Sequence, residues 1–249
     1  MIGLPRYVKR ATARWRRKDL DRPPTAFYRL SETCQIPRLD DLYAQYFGER
    51  TDGCFIEIGA YDGEYASNTS GLADMGWRGV YVEPVESSYL ACKERHRFND
   101  AVAVRRLVIG DGRGYAQIEA AGPLSTADAL TRARVSTLAW AKHLFAETHL
   151  ETVEQITLSD LLETSGVKPG FELLVIDVEG AEWSVLRPFD LGLWRPTMVI
   201  IELHDQNPDY AGLRERENLV VSYFAHHHYK VIYKDFTNTV YAPEECTLP

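Results

Sequence analysis

Five carboxylates in this chain stand in or directly after short apolar runs. Glu57 lies in Cys54-Phe-Ile-Glu-Ile58, Glu83 follows Gly79-Val-Tyr-Val82, and Asp111 follows Val108-Ile-Gly110. Asp177 follows Leu173-Leu-Val-Ile176, and Glu202 closes Met198-Val-Ile-Ile201. Such runs suit strands covered on both faces, and open α/β sheets bind ligands in the crevice beyond the carboxyl ends of their strands. The first run enters the turn Gly59-Ala-Tyr-Asp62-Gly63, which makes Glu57, Gly59, Tyr61, Asp62 and Gly63 candidate cofactor contacts. A dinucleotide needs GxGxxG so that its pyrophosphate can reach backbone amides at a helix N-terminus. Here the third glycine is absent, and acids stand before each of the two that are present. Acids repel pyrophosphate. They favour S-adenosylmethionine (SAM), whose amino-acid end carries an ammonium and whose sulfur is a cation. Glu83 is placed to accept hydrogen bonds from ribose hydroxyls, and Asp111 to face the adenine amino group.

Methyl transfer is an in-line displacement at carbon, so donor and acceptor must be aligned and the acceptor made nucleophilic. A hydroxyl acceptor needs a general base, or a metal that lowers its pKa. Asp177 and Glu202 end successive strands and can converge on one pocket as catalytic carboxylates. With water they would also suit Mg²⁺ or a similar hard cation. His204 is the preferred base. Asp177 and Glu179 would position the substrate or the methionine end of the cofactor. Glu182 is a substrate candidate whose alternative reading is a first-turn acid favoured by the helix dipole. His226-His227-His228 is contiguous rather than spaced i, i+4, which reads as a solvated helix end.

The elements that must position these groups alternate between strand and helix patterns. Residues 39–47 read as a helix, 54–59 as a strand, 65–75 as a helix, 79–83 as a strand and 86–97 as a helix. A strand over 102–109 follows, with a hairpin partner at 115–119. Residues 120–150 are less regular, with helical spacing near Leu138 to Phe145 and with Trp140 and Phe145 as core or lid aromatics. Strands at 171–177 and 198–203 flank a crossover helix at 181–186. The segments 229–234 and 238–242 form a terminal hairpin. This order predicts a mostly parallel, doubly wound sheet with an antiparallel edge.

The chain has 249 residues, 45% of them hydrophobic, enough for one compact domain. Its 28 basic and 36 acidic residues give a net charge of −8. Residues 1–22 hold eight basic residues against two acidic, so the remainder carries −14, which argues against nucleic acid as a partner. Residues 1–24 read as a basic extension, either a solvated tail or a helix with Ile2, Leu4, Tyr7, Ala11 and Trp15 on one face. Such a helix would make peripheral contact with an anionic membrane. Pro23-Pro24 would end it. Residues 25–249 form the catalytic domain, within which 115–150 is the variable substrate or lid segment. The four cysteines lie far apart, without metal or disulfide spacing. No apolar run approaches the ~20 residues that span a bilayer. The expectation is a cytoplasmic protein, with a homo-oligomer admitted.

Several stretches resemble the FkbM-type SAM-dependent methyltransferases. They are Ile-Glu-Ile-Gly-Ala-Tyr-Asp-Gly-Glu-Tyr-Ala-Ser-Asn-Thr at 56–69, Gly76-Trp-Arg-Gly followed by Val82-Glu-Pro, Ile109-Gly-Asp and Thr157-Leu-Ser-Asp-Leu-Leu. To these add Leu174-Val-Ile-Asp-Val-Glu-Gly-Ala-Glu182 and Arg195-Pro followed by Ile201-Glu202. The resemblance covers about residues 54–205. It implies a Rossmann-like class I methyltransferase fold and O-methylation of hydroxyls on sugars, glycans or glycosylated metabolites. It also marks Glu57, Gly59, Asp62, Glu83 and Asp111 as cofactor residues. Tyr61 stands where the family often has asparagine. Two other readings are a nucleotide-binding Rossmann oxidoreductase and a catalytically silent methyltransferase fold serving as an interaction module.

Overall fold

The computed structural model describes residues 27–138, 148–207, 210 and 214–245. The basic extension, Trp140, Phe145 and Cys246 lie outside them.

Helix α1 (Leu39–Phe47) leads into strand β1 (Cys54–Ile58), helix α2 (Ser70–Asp74), strand β2 (Arg78–Val82), helix α3 (Glu86–Arg95) and strand β3 (Val102–Arg105). Strands β4 (Val108–Ile109) and β5 (Gly114–Ala120), helix α4 (Ala129–Val135) and strand β6 (His149–Ile156) form an inserted unit, and helix α5 (Leu158–Thr164) leads back to the central sheet. The chain then returns through β7 (Leu173–Ile176), α6 (Glu182–Leu186), α7 (Leu191–Trp194), β8 (Met198–Glu202), α8 (Arg214–His226), β9 (Tyr229–Lys234) and β10 (Asn238–Pro243).

The central sheet has seven strands in the order β3-β2-β1-β7-β8-β10-β9. The first five are parallel; β10 pairs antiparallel with β8, and β9 pairs antiparallel with β10 and so runs with the first five. Strand order reverses between β1 and β7, the switch point at which doubly wound sheets open a crevice. The apolar runs alternate faces, as strands must. Ile56, Ile58, Leu174, Ile176, Val199 and Ile201 pack with Leu158, Leu161, Val185 and Phe224 on one side. Phe55, Tyr81, Leu173, Val175, Met198 and Ile200 pack with Tyr43, Phe47 and Trp77 on the other. Each side chain so buried stabilises the fold by roughly 1.5–3 kcal/mol.

Three expectations are corrected. The predicted strand 102–109 is broken into β3 in the central sheet and β4 in a second sheet of order β4-β6-β5. Its predicted partner 115–119 lies in β5, which pairs antiparallel with β6 instead. The sequence pattern of residues 149–156 does not predict the strand they form. Their charge-rich sequence, with a mostly half-buried or exposed pattern, lacks the continuous apolar run that marks a central strand. The helix expected over 65–75 is confined to 70–74, because Asp62 and Ser67 spend their side chains on backbone N–H groups of the preceding loop and first turn. The terminal hairpin forms as predicted. No helix among the described residues is long and apolar enough to cross a membrane.

Candidate functional site

A cleft of about 130 Å³ opens at the switch point, over the carboxyl ends of β1, β2, β7 and β8. Gly59 makes it possible. Its φ is +86°, and a Cβ there would lie 1.6 Å from the carbonyl oxygen of Asp177, so only glycine lets the two strand ends meet. The Asp177 N–H donates to the Ile58 carbonyl at 2.9 Å and the Gly59 N–H to that of Val82 at 2.9 Å.

Glu57 is buried in β1, facing the loop before α2. Its carboxylate accepts hydrogen bonds from Ser67 Oγ at 3.0 Å and from Thr69 Oγ1. Burial pushes its pKa up to about 7, against the pull of those hydroxyls. Glu83, buried after β2, accepts from the Tyr61 and Val85 N–H groups, each at 2.9 Å. Its pKa is likewise raised by burial to about 7. Glu83 therefore ties the turn after β1 to the end of β2. The Tyr61 and Tyr65 rings meet edge to face with centroids 6.2 Å apart, and both line the cleft. Pro84, Leu107, Val108, Ile109 and Ile118 supply apolar lining.

At the far end lie Asp177, Glu179 and Glu202, each with a carboxylate oxygen within 4.8 Å of the other two. Burial and the charge on Glu202 hold Asp177 and Glu179 well above the ordinary carboxylate range. Glu202 goes the other way: burial opposes its charge, but the His204 imidazolium outweighs burial and lowers it. Glu179 sits at φ +52° and its carbonyl accepts from Thr126 Oγ1 at 2.8 Å. A Cβ on the next residue, Gly180, would meet Thr131 Oγ1 at 2.0 Å. The inserted segment thus closes against the turn after β7, and Gly122, Pro123, Ser125 and Ala127 complete the cleft.

The predicted residues separate into three groups. Glu57, Gly59, Tyr61, Glu83, Asp177, Glu179 and Glu202 all line the cleft. Asp62 and Gly63 shape it from outside. Asp62 Oδ1 accepts from the Glu64 and Tyr65 N–H groups, and a Cβ on Gly63 would collide with Cys92 Sγ and His96 Nε2. Asp111, Glu182 and His204 stand apart. Asp111 is exposed and ion-paired to Arg187, so it does not face an adenine pocket. Glu182 turns its Oε1 onto the N–H groups of Gly180 and Val178, at 3.0 and 3.3 Å, the first-turn role rather than a substrate contact.

His204 corrects the preferred base. It borders a separate, small cavity beside α8, stacked on Tyr210 with centroids 3.9 Å apart. Its Nε2 lies 3.3 Å from Glu202 Oε1. Burial disfavours its charge, yet Glu202 raises its pKa to about 9, so near neutral pH it already carries the proton a base would have to accept. Gln35, Tyr65 and the apolar wall are cleft residues that sequence reasoning missed. The signal for the wall lies in Leu107-Val-Ile109, whose apolar pattern predicts part of a strand over 102–109.

Among the described residues lining the cleft there are five carboxylates and no Lys, Arg or His. This surface attracts a cation and repels pyrophosphate.

Similarities to solved structures are remote. WbdD crystallised with the kinase inhibitor LY294002 is 15% identical with a TM-score of 0.44, over 83% of this chain and 40% of that one. The chain therefore spans less than half of the WbdD chain. An O-methyltransferase from Bacillus cereus in complex with SAH is 16% identical with a TM-score of 0.41, over 97% and 92% of the two chains. A ribosomal protein L11 methylase from Lactobacillus delbrueckii subsp. bulgaricus is 10% identical with a TM-score of 0.39, over 77% and 70%. Among curated proteins no match is found. The Methyltransferase FkbM domain matches residues 57–231, well over half of the chain. With that match laid over the switch-point cleft, this chain belongs to the FkbM methyltransferase family.

Proposed function

We propose that the chain is a SAM-dependent O-methyltransferase acting on a hydroxyl of a sugar, glycan or glycosylated metabolite. The observation that carries this reading is the cleft lined by Glu57, Glu83, Asp177, Glu179 and Glu202 without a cationic side chain among its described residues. SAM supplies an electrophilic methyl carbon when bound. Its adenosine suits the end built from Pro84, Leu107, Val108 and Ile118, with Glu83 toward the ribose hydroxyls. Its cationic end suits the acidic side. Asp177, Glu179 and Glu202 are groups with which sugar hydroxyls can hydrogen-bond, and Glu202, kept ionised by the His204 imidazolium, takes the acceptor proton. Asp177 orients the acceptor beside it. His204 is a positioning residue that holds Glu202 through its ion pair.

Calorimetry with SAH and with NAD⁺ separates the cofactor classes: heat with SAH alone is expected, and heat with NAD⁺ alone would overturn the assignment. Transfer of label from methyl-labelled SAM is then followed on a panel of glycosides and matched amino sugars. Label in an ether methyl is expected. Label only on nitrogen, or on no member of a broad panel despite SAH binding, would sink the hydroxyl reading.

A further inference from the structure

Asp177, Glu179 and Glu202 come from one strand end, the turn after it and the neighbouring strand end, and their ligand oxygens all lie within 4.8 Å of one another. Three carboxyls so close cannot all be ionised unless a cation lies between them; without one, a proton must be shared, as between Asp177 and Glu202. Among the described residues the one cationic group in contact with them is His204, and it faces Glu202 Oε1. Glu202 is 10% exposed in its side chain, and its other oxygen, Oε2, is buried without a hydrogen-bond partner. A buried acceptor left unsatisfied calls for an unseen partner, and here it stands beside two further carboxylates that also line the cleft.

We infer that Asp177, Glu179 and Glu202 form a binding site for one hard divalent cation of the Mg²⁺ or Mn²⁺ class. The donors are all carboxylate oxygens, with no thiolate, which selects such ions over zinc or copper. Around a six-coordinate ion with bonds of about 2.1 Å, ligand oxygens stand roughly 3.0–4.2 Å apart. The observed spread needs only a small contraction to reach that. Glu182 is not a ligand, since its Oε1 is engaged by two N–H groups. Because the three acids line the cleft, water or acceptor oxygens would supply the ion's remaining ligands. Its role toward an acceptor rests on the hydroxyl-methylating reading above, whereas its binding does not. A competing occupant of the same acids is the ammonium of the methyl donor, and the experiment separates the two.

The full chain is titrated with Mn²⁺ alone, free Mn²⁺ being read by electron paramagnetic resonance, for the wild type and for Asp177→Asn, Glu179→Gln and Glu202→Gln. The expected result is one Mn²⁺ per chain, with affinity at least about tenfold weaker in each variant because each removes one ligand charge. Near-UV circular dichroism establishes that the variants are folded. Glu179→Gln, which touches no ion pair, keeps the test alive if the other two misfold. SAH is expected to leave Mn²⁺ binding in place. No Mn²⁺ uptake by the folded wild type at millimolar concentration would overturn the site. So would uptake unchanged in Glu179→Gln, or displacement of Mn²⁺ by SAH. Mn²⁺ binding by a protein that fails to bind SAH would support the ion site while removing the methyltransferase chemistry proposed for it.

Discussion

Glu83 carries two duties that a sequence shows as one. Its carboxylate accepts from the N–H groups of Tyr61 and Val85, fixing the turn that shapes the cleft, and it faces the pocket. Glu83→Ala leaves those two amides without their acceptor, at about 1–3 kcal/mol for each that stays buried. Weaker SAH binding by calorimetry and a lower unfolding midpoint are both expected. A variant that loses affinity with an unchanged midpoint would show that the amides are satisfied otherwise. His204 gives a pH signature. Its folded pKa of about 9 lies above the ordinary 6.5, so its contribution to stability is complete below about 6.5 and is lost as pH rises through 9. In metal-free buffer the wild type is expected to lose urea resistance between pH 7 and 9.5, and His204→Gln to lose less across the same interval. Equal losses would remove the Glu202–His204 pair as the cause.

The elements meet at glycines whose roles differ in kind. Gly59 and Gly76 both have positive φ, +86° and +94°, but a Cβ at Gly59 would strike the Asp177 backbone while one at Gly76 meets nothing within 4 Å. Gly76→Ala is therefore expected to cost about 1 kcal/mol of left-handed strain, read as a modest shift in melting temperature. Gly59→Ala must separate β1 from β7, and loss of the folded protein or of SAH binding is expected. Similar midpoints for the two variants would show that this close approach does not hold the cleft together. Helix α5 illustrates a boundary written locally. Thr157 and Asp160 form a reciprocal capping box, visible in the sequence as Thr-x-x-Asp before an apolar run. By contrast, nothing local separates β3 from β4. Val102-Ala-Val-Arg105 and Val108-Ile109 read as one strand because both are apolar, and only the competition between two sheets for pairing partners divides them.

At the scale of the molecule, five acidic side chains gather where the central sheet opens. The buried carboxyls of Glu57 and Glu83 have folded pKa values of about 7 against an ordinary 4.5. Ionising them therefore costs the unliganded fold stability, a cost that grows as pH rises from about 4.5 to 7 and is constant above. A cationic ligand offsets it. SAM, which carries a sulfonium, is expected to gain affinity between pH 6 and 8 relative to SAH, which lacks one, and calorimetry at the two pH values reads the difference. Parallel pH profiles for the two ligands would mean that these carboxyls do not feel the sulfonium.

The sequence by itself determined the doubly wound sheet, its antiparallel edge and most of the acids that face the cleft. Apolar runs of strand length, broken by glycine turns and helical periods, leave little topological choice. The tertiary structure decided which acids act together. Asp177, Glu179 and Glu202 are brought together by the pairing of β7 with β8, and Asp111 is drawn away by Arg187 from 76 positions along the chain. His204 is turned from a base into a counter-ion by burial beside Glu202. Strand identity follows from local pattern, whereas protonation and side-chain partnership depend on neighbours that only folding supplies.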